Sequence, residues 1–231
     1  MIDLALDSLC DPVLIACGVE HGFGQRGSQL PDFTIFPEQV HGIEVFEAES
    51  ANATAKGPKA DIILSAEPGI CLGIVTADCV PILIAAADGS VVGAIHAGWR
   101  GLAAGVIEVG LQAVRSRLSD AVPLVAAVGP AAGSCCYEVD QPVRQDLAHR
   151  YPDQVEDFLR PSRSDHFLLD LVGLAAQILN QNGVEKHRIG RQNCFCTICS
   201  GPRFESYRRD GMAAGRLKHF ILSPGPSSDQ G

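Results

Sequence analysis

At 231 residues, 46% of them hydrophobic and 19% charged, the chain is long enough for one large or two small globular domains and too apolar to be disordered. A net charge of −9 argues against nucleic acid as a main partner, because phosphate binding needs a basic face. The longest apolar run, Ile70 to Ala87, is interrupted by Asp78, Cys79 and Pro81. No segment therefore reaches the roughly 18–20 apolar residues of a membrane span. The opening MIDLALDSLCDP is acidic where a signal peptide is basic, so a cytoplasmic protein is expected.

In chain order, short runs rich in Val and Ile and bounded by turn residues predict strands at Val13–Gly18, Thr34–Phe36, Gly42–Glu47, Asp61–Ser65, Ile70–Thr76, Pro81–Ala86 and Val91–Ile95. Ala87–Gly89 lies between two of these runs and reads as a hairpin turn. Gly101–Leu118 has apolar residues at helical spacing, followed by a strand at Pro123–Val128 and a helix at Gln141–Arg150. A strand at Phe167–Leu169 then leads into a helix from about Asp170 to Asn182, stopped by Gly183. Several strands precede the first helix, which favours an α+β fold of mixed layers over strict βαβ alternation. No linker stands out, so one domain is expected over residues 1–222. The polar stretch 223–231 is expected to fray.

Three segments put metal-competent side chains at the ends of apolar strands: Gln39-Val40-His41-Gly42, Thr76-Ala77-Asp78-Cys79 and Ile95-His96-Ala97-Gly98-Trp99-Arg100-Gly101. A shared ion would relieve the cost of burying His41, Cys79 and His96 there, and two imidazoles with one thiolate suit zinc, with copper as competitor. Three protein ligands describe a catalytic site with an open position, whereas structural zinc sites close with four. Asp78 and Gln39 are candidates to orient ligands or bound water. Spacing alone favours the plainer alternative of ordinary buried histidines, since no HxxxH or CxxC ties these residues together.

The strings QVHG, TADCVPILIA, HAGWRGLAAGV, VGPAAGSCCYEV and FESYRRDG occur in this order. They resemble the multicopper polyphenol oxidase (laccase-domain) family, whose bacterial members are mostly described as purine nucleoside phosphorylases. The resemblance runs from about Gln39 to Leu222 and implies that family's own single-domain fold. It also implies that His41, Cys79 and His96 bind the metal. The activities it implies are phosphorolysis of adenosine, inosine and methylthioadenosine, with deamination of adenosine at the same site. Deamination asks for a metal-activated water at the purine C6; phosphorolysis asks for phosphate beside the ribose C1′. Arg100 and the cluster Arg203, Arg208 and Arg209 are available to hold phosphate, the plainer alternative for the cluster being a solvated basic face, and Arg26 is a further candidate by family position. Copper-dependent phenol oxidation and amidase editing of peptidoglycan precursors are the alternative activities the resemblance offers.

The chain departs from the family pattern in two places. Only Gly27–Glu38 separates the N-terminal Arg26 from QVHG, where most members carry a longer stretch with a helix. Gly24 stands where Ser or Thr is common. Among the nine cysteines, Cys10, Cys17 and Cys71 read as small core residues. Cys135-Cys136 reads as structural or pocket-lining, because vicinal cysteines do not easily share one tetrahedral ion. Cys194, Cys196 and Cys199 form C-x-C-x-x-C without a matching second pair at suitable spacing, so a structural role is expected there too.

Overall fold

A computed structural model describes residues 7–52, 57–118 and 122–224. The elements are α1 (Pro12–Ile15), β1 (His21–Phe23), β2 (Val45–Glu47), β3 (Ile62–Ser65), β4 (Cys71–Thr76), β5 (Val80–Ala86) and β6 (Val92–Ala97), then α2 (Trp99–Ala104) and α3 (Val106–Arg115). They continue with β7 (Leu124–Val128), β8 (Glu138–Asp140), α4 (Gln141–Arg150), β9 (Leu159–Pro161), β10 (His166–Leu169), α5 (Leu171–Gln181), β11 (Ile189–Gly190), α6 (Tyr207–Asp210) and β12 (Leu217–Leu222). A six-stranded sheet in the order β11-β7-β5-β6-β3-β2 forms the middle layer. A three-stranded sheet, β1-β12-β4, covers one face, and β8-β10-β9 forms a small third sheet.

The inner strands β3, β5, β6 and β7 of the middle sheet are buried along their whole length and show little alternation, because both faces are covered. Ile62, Leu64, Ile82, Ile84 and Ile95 point into a core shared with α3 and α5. Their neighbours Ile63, Leu83, Ala85 and Ala94 point the other way, onto Leu72, Ile74, Ile221 and Phe23 of the three-stranded sheet. Full burial of one such side chain contributes about 1.5–3 kcal/mol. Gly110 permits the α3 approach: a Cβ there would stand 2.4 Å from Cδ1 of Ile95. The mixed helix-and-sheet architecture agrees with the α+β expectation.

Most sequence-predicted elements stand within two residues of their expected places, and the exceptions have local causes. The expected strand at Val13–Gly18 is instead the short helix α1. Asp11 caps it by accepting from the Val13 N–H, and Pro12 occupies the first turn, where its missing N–H costs nothing. Thr34–Phe36 makes only one isolated bridge, Ile35 to Leu72. The Gly42–Glu47 strand shortens to β2 because the N–H groups of Val40, His41 and Gly42 are taken by the Asp61 carboxylate. The single helix expected over Gly101–Leu118 starts earlier, at Trp99, and breaks at Gly105, whose φ of 90° ends α2 and starts α3. Of the tail, Ser223 is buried and donates its N–H to Ile70, while 225–231 lie outside the described residues.

Candidate metal centre and its pocket

The β5–β6 hairpin brings the first two parts of the site together. Its turn closes with the Gly89 N–H on the Ala86 carbonyl, and its antiparallel register pairs Pro81 with His96 and Val80 with Ala97. Cys79, one residue before β5, therefore stands beside His96 near the end of β6. On the other side of β6, Ile62 pairs with Ile95, which sets Asp61 at the same end of the sheet. The His96 N–H donates to the Asp61 backbone carbonyl at 2.8 Å. His41 arrives from the segment before β2, held by Asp61 from below.

The ligand atoms of His41, Cys79 and His96 all lie within 4.8 Å of one another. The two imidazole rings meet edge to face, with centroids 4.8 Å apart. His96 is buried, Cys79 half-buried, and His41 exposed at the rim, so the group opens toward solvent on the His41 side. Gly98 leaves the room: a Cβ on it would lie 2.9 Å from the Cys79 sulfur and 3.3 Å from the His41 ring. His41 and the neighbouring Asp78 hold φ values of 62° and 88°, conformations costly for residues other than glycine and typical of sites that over-determine their backbone.

Asp61 organises the cluster. Its Oδ1 accepts from His96 Nδ1 at 2.7 Å and from the His41 N–H at 2.9 Å, and its Oδ2 accepts from Gly42 N–H at 2.7 Å. A carboxylate on Nδ1 fixes the tautomer and leaves Nε2 for an ion. Burial raises the Asp61 carboxyl, yet the hydrogen bonds from His96, Gly42 and Val40 outweigh it and hold the group below its usual value. Burial likewise opposes the Cys79 thiolate, but His41 and His96 bring the thiol down to about 6. For His96, burial is outweighed by hydrogen bonds to Asp61 and Cys79, which raise it to about 9. The surrounding imidazoles thus favour the thiolate, the form in which cysteine binds metal. Two imidazole nitrogens, one of them oriented by a carboxylate, and one thiolate fit a borderline divalent ion.

A cavity of about 610 Å³ opens over this group. Its other walls include Trp99, Tyr137 and Tyr207, with Arg100, Arg208 and Arg216. The Arg100 guanidinium stacks 4.3 Å over the Trp99 ring, and Arg208 lies 5.1 Å over Tyr137 while donating to the Glu138 carbonyl. Burial pushes the Tyr137 phenol well above its usual value, and the Cys79 charge adds to this, so it is a hydrogen-bond donor at neutral pH.

The remaining sequence candidates are placed differently. Gln39 lines the cavity, but its amide bridges to Val75, donating to the carbonyl and accepting from the N–H, both at 2.7 Å. Asp78 also lines the cavity; its carboxylate accepts from Thr197 Oγ1 and from the Arg208 N–H, both at 2.6 Å, and so ties the C-terminal segment to the strand carrying Cys79. Arg26 and Arg209 border a separate open depression. Arg26 pairs there with Glu205 and Asp210. Arg209 pairs with Asp210 and donates to the carbonyls of Thr197, Ile198, Gly201 and Phe204. Arg203 stacks on Phe195 and Phe204.

Asp61, Tyr137, Tyr207 and Arg216 escaped sequence reasoning. An acid opening a buried strand was the available signal for Asp61; the tyrosines sit inside the CCYEV and SYRRDG strings. Gly24 has a plain cause: a Cβ there would be 2.1 Å from the Lys218 carbonyl, so Ser or Thr does not fit against β12.

With this geometry in place, the class is clear. The chain belongs to the family described as multi-copper polyphenol oxidoreductase laccase, whose model matches residues 23–223. Among its relatives, the chain is 38% identical over 184 residues to a purine nucleoside phosphorylase of Xylella fastidiosa, covering 78% of this chain and 69% of that protein. It is 36% identical over 192 residues to purine nucleoside phosphorylase YfiH of Escherichia coli, covering 83% and 74%. Of solved structures, YlmD from Geobacillus stearothermophilus matches with a TM-score of 0.75 and 29% identity over 84% of this chain and 74% of that one. Protein NMB0706 of Neisseria meningitidis matches with a TM-score of 0.73 and 33% identity over 83% and 75%. No helix among the described residues is long and apolar enough to cross a membrane.

Proposed function

We propose that this protein is a cytoplasmic, metal-dependent purine nucleoside phosphorylase that also deaminates adenosine, with residues 1–222 acting as one catalytic unit. The observation that carries the reading is the single cavity in which the His41, Cys79 and His96 group faces three aromatic rings and three arginines. Its volume lies within the range of small-molecule sites. Relatives named purine nucleoside phosphorylase at 36–38% identity support the same substrate class.

His41, Cys79 and His96 would hold the ion, proposed as zinc. When bound it supplies Lewis-acid chemistry and water activation. Asp61 keeps the His96 imidazole turned toward the cluster. Trp99, Tyr137 and Tyr207 offer ring faces for a purine base. Arg100, Arg208 and Arg216 supply cationic donors for phosphate, which in phosphorolysis bonds to C1′ as the C1′–N bond to the purine breaks. Asp78 and Gln39 act as positioning residues, holding the strands on which the ligands sit. Arg26 and Arg209 brace the C-terminal wall rather than meet phosphate.

Metal-replete protein incubated with adenosine and phosphate is expected to release adenine with ribose 1-phosphate, and inosine. Absence of all three products would overturn the reading. The donor set alone is also compatible with copper. Among the described residues, however, this is the only metal-competent group that includes histidine, whereas a multicopper oxidase needs several copper centres. Oxygen uptake with a phenol by copper-loaded protein, without nucleoside turnover, would replace the nucleoside reading.

A further inference from the structure

The second pair missing from the C-x-C-x-x-C string is supplied by the fold. The loop after β7 carries Cys135 and Cys136, and the loop after β11 carries Cys196 and Cys199. The two loops run side by side through a parallel bridge between Ala131 and Cys196, with the Ala131 N–H on the Phe195 carbonyl and the Thr197 N–H on the Ala131 carbonyl. Gly133 lets them meet: a Cβ there would lie 2.9 Å from Cβ of Cys196. The sulfurs of Cys135, Cys136, Cys196 and Cys199 all fall within 4.8 Å of one another.

We propose that these four cysteines form a second, structural metal site, taking a thiophilic divalent cation, zinc, in an all-sulfur tetrahedron. A tetrahedral ion about 2.3 Å from each sulfur spaces the sulfurs about 3.8 Å apart. Cys135 and Cys199 already stand 3.6 Å apart, far beyond the roughly 2.05 Å of a disulfide bond. Being vicinal does not separate Cys135 from Cys136 here, since both sulfurs converge on the same point. The Gly133 N–H donates to the Cys196 sulfur at 3.3 Å, an arrangement that stabilises thiolate. Binding releases the protons of whichever thiols are still protonated, and no electron is transferred.

Four protein ligands leave no open position, so this site closes where the first one opens. Its role follows from what the loops hold. Thr197, between Cys196 and Cys199, donates to Asp78 beside Cys79; the Ala132 N–H donates to the Asp78 carbonyl; Tyr137, next to Cys136, is a cavity wall. An ion here would clip the wall of the cavity from behind.

The test uses the full chain, expressed with zinc, purified without a metal-chelating column and assayed for metals by mass spectrometry. The variant C79S/H96A, lacking two ligands of the first site, is expected to keep about one zinc per chain, with four sulfurs at about 2.3 Å by X-ray absorption. Adding C196S/C199S is expected to remove that zinc. Should C79S/H96A not fold, the wild-type zinc shell should be sulfur-rich on average instead of carrying the single sulfur of the first site. Folded C79S/H96A with almost no zinc, a shell of nitrogen and oxygen, or a disulfide between Cys135 and Cys199 would each overturn the proposal.

Discussion

The His41, Cys79 and His96 group and the four-cysteine group are linked through Asp78, which adjoins Cys79 and accepts from Thr197, and they are built in contrasting ways. The first sits at the end of the central sheet, on β6, the residue just before β5 and the segment entering β2, with a buried carboxylate orienting one imidazole. It opens into a cavity with arginines and aromatic rings. The second lies on two loops, with sulfur donors only, partly exposed, and with the Gly133 N–H on the Cys196 sulfur. Rigid strands with an oriented histidine suit chemistry, in which an open position must be held in place. Loops joined by four thiolates suit fastening, since the ion itself supplies the rigidity the loops lack.

The sharpest way to break this contrast is at the first group. His96→Ala or Cys79→Ser is expected to reduce nucleoside turnover below detection, read as product formation by chromatography. Asp61→Asn keeps the ligands but weakens their orientation. It is expected to lower activity or metal affinity about 10–100-fold, measured by kinetics and metal titration. Equal activity in Asp61→Asn and wild type would mean that the carboxylate merely fills the sheet end.

The arginines sharpen the comparison next. Losing a hydrogen bond to a charged group costs about 1.5–3 kcal/mol, so Arg208→Ala or Arg100→Ala is expected to raise the KM for phosphate about 10–100-fold with kcat little changed. Arg209→Ala should instead lower the melting temperature, since its guanidinium meets four carbonyls and Asp210. A raised phosphate KM in Arg209→Ala alone would move the phosphate site to the other depression.

The smallest effect, taken over a single pH unit, concerns acid stability. His219 is fully buried between β1 and β4, with Nε2 against Thr76 Oγ1 and Nδ1 accepting from the Gly24 N–H. Burial, with a lesser contribution from His96, lowers it from 6.5 to about 3. A lowered folded value means its contribution to stability is complete above 6.5 and is lost as pH falls from there toward 3. The slope is at most about 1.4 kcal/mol per pH unit. His219→Gln is expected to flatten this part of the stability profile in chemical denaturation at stepped pH; an unchanged slope would assign the acid loss to other groups.

Much of the middle sheet was legible because buried strands announce themselves as short runs of Val, Ile and Ala between turn residues, as in Pro81–Ala86. Short edge elements such as β1, β8, β9 and β11 were not, because two to three residues carry no periodicity. The apolar run at Val13–Gly18 reads as a strand by composition, yet Asp11 and Pro12 cap it as the helix α1. At the site, the three ligands were named from motif strings, while Asp61 was not, since an acid at a strand entrance is also an ordinary surface residue until a histidine turns toward it. Proximity in sequence marks Gln39 and Asp78 as near the ligands but does not say which way their polar atoms are spent.

By itself the sequence determined which residues have the chemistry: two histidines and a cysteine at strand ends, arginines within long motifs, and nine thiols. Only the tertiary structure decided which of them meet. The antiparallel register of β5 with β6 joins Cys79 to His96, and the pairing of β3 with β6 adds Asp61. The parallel contact of two distant loops turns Cys135, Cys136, Cys196 and Cys199 from two unmatched pairs into one tetrad. Ligand identity is a property of side chains, but coordination is a property of distance, and distance between residues far apart in the chain is set by how the layers pack.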